Sequence, residues 1–168
     1  MTTVILKGGQ AKGYRDVMLA CNLLEQKHPG LSIAKLQRLL LMERGTVEGL
    51  LSVIEGAPID VQVVMQQENG STWKRITELK NGASTVLKAT STIFTESIPS
   101  NILSELQDRR LGIGEILGRY NIETRREITE IGYDPKSERF YRVYDIYAGG
   151  KVWFTIHESF EQALYCYG

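Results

Sequence analysis

Two Asn-Gly pairs, Asn69-Gly70 and Asn81-Gly82, sit between segments in which apolar and polar residues alternate. That combination leaves a chain few options. Asn-Gly supplies the positive φ angles of a tight two-residue turn, and period-two alternation marks a strand with one buried face. The pattern predicts a three-stranded meander over 60–68, 71–80 and 83–96. A second follows at 124–133, 139–147 and 151–160, turned by Asp134-Pro135 and by the Gly149-Gly150 hairpin. Two meanders side by side make an antiparallel sheet of about six strands, the usual sheet size.

The first third of the chain reads as helical. Ser32 can cap a helix that carries Ile33, Leu36, Leu39 and Leu40 on one side. Gly45 interrupts it, and the pattern resumes with Val47, Leu50, Leu51 and Ile54 before Gly56-Ala57-Pro58. A further helical stretch, Ile98 to Tyr120, lies between the meanders and contains Gly112 and Gly114. Helices from both ends would cover the sheet, giving an α+β fold, and residues 1–168 read as a single domain.

Charge narrows the function. Lys plus Arg and Asp plus Glu number 20 each, so the net charge is zero and no basic face for nucleic acid is implied. No run is apolar for long enough to span a membrane, and Met1 to Gln10 lacks the features of a secretory signal. Two histidines and two distant cysteines, Cys21 and Cys166, offer no metal cage and no CxxC pair. A cytoplasmic, metal-free, reduced protein is the expectation.

Glu158 carries the most information. Val152, Phe154, Ile156, Glu158 and Phe160 share one strand face by alternation, and the glutamate alone is polar. A two-residue Gly149-Gly150 turn would place Tyr141 opposite Glu158. A carboxylate in such company is expensive to ionise unless paired. It is then either a group ready to share a proton with a ligand hydroxyl, a partly exposed strand end, or a partner for Tyr141. Arg75 shares a face with Trp73 and Leu79, and the Asn81-Gly82 turn would set Lys88 across from it. An anion between the two cations would relieve their repulsion, whereas on a solvated face they would simply splay apart. Leu111-Gly112-Ile113-Gly114-Glu115-Ile116-Leu117 places glycines just before a short helix, where backbone N–H groups can approach an anion. It matches neither GxGxxG nor GxxxxGK[ST]. His157 and Ser159 point to opposite faces of one strand and cannot act together. Cys166, between Tyr165 and Tyr167, is a terminal packing residue at best.

These features occur in an order that resembles the chorismate lyase family, more closely its branch of chorismate pyruvate-lyase relatives first catalogued as an uncharacterised microbial family. Leu39-Leu40-Leu41 through Gly45-Thr46-Val47 is similar to that family's early helical segment, and Trp73-Lys74-Arg75 to its strand with an arginine. Arg126 to Asp134 resembles its R-x-x-x-E-I-G-x-D strand, and Tyr141-Arg142 with Ile156-His157-Glu158 its last hairpin. The likeness runs from about Leu36 to Phe160 and implies a six-stranded antiparallel sheet around a buried ligand pocket.

The resemblance further implies a lyase that eliminates pyruvate from chorismate to leave 4-hydroxybenzoate, with no metal or redox cofactor. By it, Arg75 and the Ile113 amide beside Gly114 would bind the ring carboxylate. Glu158 would meet the oxygen that becomes the phenol. Thr46 and Val47 would fall in the segment that lids the pocket. The family's second arginine is replaced: flanking residues put Ser91 there, and hairpin register puts Lys88. Ligand binding is thus implied more strongly than turnover. A non-catalytic domain for an aromatic or cyclic carboxylic acid, related to the effector-sensing domains of transcription regulators, is the alternative.

Overall fold

A computed structural model describes residues 1–5 and 14–166. Residues 6–10 of the N-terminal stretch and Tyr167 lie outside the described residues. The chain runs β1 (Thr2–Ile5), α1 (Tyr14–Lys27), α2 (Lys35–Met42), α3 (Val47–Glu55), β2 (Asp60–Asn69), β3 (Thr72–Asn81) and β4 (Ser84–Phe94). After a 3₁₀ turn at Thr95–Ser97 come α4 (Ser100–Gln107), α5 (Ile113–Arg119), β5 (Arg125–Asp134), β6 (Arg139–Ala148) and β7 (Lys151–Glu161).

The strands form one antiparallel sheet in the order β1-β5-β6-β7-β4-β3-β2. Both predicted meanders are present, joined where the last strand of each, β4 and β7, pair. The sheet has seven strands rather than six: β1 pairs with β5, setting Thr3 opposite Gly132 and Val4 opposite Ile131. A four-residue strand followed by a long helical region gives no local hairpin signal, and its partner lies more than a hundred residues away.

The α2 helix starts at Lys35, so Ser32 is not its cap. Gln37 does that work: its Oε1 accepts the Ala34 N–H at 2.9 Å, while its Nε2 donates to the carbonyls of Gln162 and Leu164. The predicted 98–120 helix is two helices, broken where Arg109 takes a left-handed φ of 56°. Leu24, Leu41, Leu51, Leu106 and Ile116 from the helices bury against Ile93, Ile131, Phe140, Phe154 and Phe160 of the sheet. The opposite sheet face is more polar, with exposed Lys74 and Lys88 beside half-buried Thr92, Thr155 and His157. There Tyr141 stacks on His157, hydrogen-bonds Thr3 and lies over Gly132, where any β-carbon would collide with its ring. Cys166 is exposed rather than packed.

Candidate functional site

Side-chain size along the sheet makes a hollow. On the helix-facing side, Thr77, Ala89 and Glu158 follow one another across β3, β4 and β7, and Ser91 and Ile156 form the next row. Small residues at Thr77, Ala89 and Ser91 leave space that the flanking Leu79, Tyr144, Ile146 and Ile156 do not fill. Val61, the segment Gly45 to Glu48 and the start of α5 at Gly112 to Gly114 close over it. The hollow holds about 550 Å³ free of atoms, part of it open to solvent. At Gly114 a β-carbon would stand 3.0 Å from Thr46 Cγ2, so glycine lets the start of α5 close against the mouth segment.

Glu158 lies in this wall and is 4% exposed. Its partner is not Tyr141. The chain bulges at Trp153, where the register slips by one, and Arg142 stands opposite instead. Arg142 Nε and Nη2 both reach Glu158 Oε2, at 2.8 and 2.7 Å, and the Tyr144 hydroxyl donates to Oε1 at 2.7 Å. Both carboxylate oxygens are therefore acceptors already in use. Burial, reinforced by the charge of Glu158, holds the Tyr144 phenol well above its ordinary pKa. It keeps its proton and donates it.

Arg75 is on the same sheet face but does not line the hollow. It is fully buried, and Nη1 and Nη2 donate to the carbonyls of Leu111 and Leu106, each at 3.2 Å. Its Nε is buried without a partner. Burial, with the nearby charge of Arg109, pushes its pKa down to about 10, so it stays protonated at neutral pH. Lys88 is not across from Arg75. The second turn closes on Gly82-Ala83 and a bulge follows at Val86, so Arg75 faces Ser91 and Lys88 faces Glu78, with which it pairs at 3.2 Å. Lys88 is exposed on the other face. Ser91, Thr46, Val47, Ile113, Gly114 and Glu158 are brought together at the hollow; Arg75 and Lys88 are not.

Polar residues of the site that sequence reasoning did not assign to it include Arg142, Tyr144, Arg126 and Glu48. Alternation offered a signal for the first, since Arg142 lies among Phe140, Tyr144 and Ile146 on one face of β6. Glu48 lines the mouth, and burial, then the charge of Glu115, raises its pKa. Arg126 lines the hollow from β5, and its Nη1 donates to the Arg44 carbonyl at 3.0 Å. Among the described residues no cluster of His, Cys, Asp or Glu could hold a metal, and no helix is long and apolar enough to cross a membrane.

No protein-family model matches the chain, and no curated protein does. Among solved structures it is similar to a transcriptional regulator of the GntR family from Bacillus cereus, with 10% identity and a TM-score of 0.43. That match covers 66% of this chain and 96% of the regulator's. A likeness so remote carries neither ligand nor activity across.

Proposed function

We propose that the hollow is the binding site of a small cyclic or aromatic carboxylic acid, which this cytoplasmic domain senses or carries without converting it. The carrying observation is that Glu158 is already held by two partners. An acid that helps a C–O bond break must lend or take a proton at the leaving oxygen. Glu158 instead accepts from Arg142 at one oxygen and from Tyr144 at the other. It serves as a fixed acceptor, its Oε1 with room for a second donor beside Tyr144, suited to the hydroxyl of a ring. The apolar wall of Val61, Leu79, Ile146 and Ile156 suits the ring itself.

A second reading is a member of the chorismate lyase family, forming 4-hydroxybenzoate and pyruvate. The shared placement of Glu158, Ser91, Ile113, Gly114 and Thr46 around one hollow supports it. Against it, Arg75 is committed to two backbone carbonyls rather than to the cavity. The test adds chorismate to the purified protein and follows pyruvate alongside thermal stability. A ligand that binds only the native state raises the melting temperature. A raised melting temperature with no pyruvate supports the binding domain; pyruvate produced over many turnovers supports the lyase. No shift with chorismate, 4-hydroxybenzoate or related ring acids ends both readings.

A further inference from the structure

We propose that Arg126 is the residue that grips the acid's carboxylate, side-on through Nε and Nη2, while its Nη1 holds the mouth segment over the bound ring. This rests on the binding reading above. Strand alternation separates Arg126 from its neighbours. Arg125 and Glu127 pair with each other at 2.7 Å, and Arg126, opposite Ile146, turns into the hollow. Of its three nitrogens only Nη1 has a partner among the described residues, the carbonyl of Arg44. Its Nε is buried and unpartnered, and Nη2 lies 3.9 Å from where a β-carbon at Gly114 would stand. The free edge of the guanidinium is thus the Nε/Nη2 edge, beside the start of α5. Two parallel N–H groups on one edge are the geometry that a carboxylate accepts from arginine.

The other charges in the wall favour the same orientation. Arg142 is already taken up by Glu158, and a second carboxylate would meet the oxygens of Glu158 rather than a free donor. Glu48 Oε2 lies 3.9 Å from where a β-carbon at Gly112 would stand. Arg126 is the cation of the wall that no carboxylate neutralises among the described residues. A ring acid would therefore turn its carboxylate to Arg126 and its opposite end to Glu158.

The mouth follows from the same contacts. Arg142 Nη1 donates to the Glu43 carbonyl and Arg126 Nη1 to the next one, Arg44. Two neighbouring strands thus pin consecutive peptide units of the segment that closes the hollow. A carboxylate on the far edge of Arg126 would fix that guanidinium and, through it, the segment.

Calorimetry on the full chain tests this with 4-hydroxybenzoate and its uncharged analogue 4-hydroxybenzamide. Arg126→Gln should weaken the acid by roughly ten- to a hundredfold and leave the amide within about twofold. Arg126→Lys should recover part of the loss, as a point charge without the fork. In the native protein the acid should slow amide hydrogen exchange over residues 43–48, and in Arg126→Gln it should not. An acid affinity unchanged in Arg126→Gln, or an equal loss for acid and amide, overturns the role of Arg126 while leaving the pocket standing. If the native protein binds neither compound, the binding reading falls and this proposal with it.

Discussion

Arg142 and Glu158 face each other across β6 and β7, and the arginine closes on one carboxylate oxygen with two nitrogens at 2.8 and 2.7 Å. Their side chains are 3% and 5% exposed. Such a pair loses most of its hydration, and its favourable interaction survives only with good geometry and further hydrogen bonds to each partner. Tyr144 and the Glu43 carbonyl supply them here.

Removing one member should cost more than removing both. Arg142→Met strands a buried carboxylate and should lower stability by about 3–5 kcal/mol. Adding Glu158→Leu should return most of it. Urea denaturation of the two single variants and the double variant reads the coupling directly, and additive losses would contradict the geometry.

Arg75 should behave as a brace for the α4–α5 connection. Arg75→Met leaves the carbonyls of Leu106 and Leu111 without their charged donor, at about 1.5–3 kcal/mol for each hydrogen bond. The expected outcome is a clear fall in urea midpoint, with faster proteolysis between residues 107 and 113. An unchanged midpoint would mean that the guanidinium is not needed there.

Glu48 gives a pH signature of known sign. Its folded-state pKa stands above the unfolded value, chiefly because of burial and then because of Glu115. Stability from this group is present below the unfolded pKa, near 4.5, and is lost as pH rises through the folded one. Glu48→Gln should therefore melt slightly higher than the native protein at pH 7 and together with it near pH 4. A gain at low pH alone would reverse the assignment.

The two thiols should separate cleanly. Cys21 is buried, which pushes its pKa up to about 11, while Cys166 is exposed. A maleimide at pH 7.5 should label one cysteine per native chain and two after denaturation. Peptide mapping should find the first label on Cys166.

Much of the fold is legible because its signals are local. Alternation and tight turns placed all six meander strands to within about two residues of their observed ends. What alternation cannot supply is register, which a single extra residue changes. The bulges at Trp153 and Val86 leave no mark in the sequence, yet the first replaces Tyr141 by Arg142 opposite Glu158. The second, with the displaced turn, replaces Lys88 by Ser91 opposite Arg75. Arg126 was hidden for a related reason. It stands between Arg125 and Glu127, and only the strand's facing separates it from them. The edge strand β1 depends on a partner distant in sequence.

The seam between β4 and β7 has a further consequence. One part of the chain, up to β4, provides Thr77, Ala89 and the mouth segment, and the part after α4 provides α5, Arg126, Tyr144 and Glu158. Neither fragment alone encloses a cavity. A ligand in the hollow would consequently touch both parts at once, and the acid proposed above would fasten one half of the molecule to the other like a clasp.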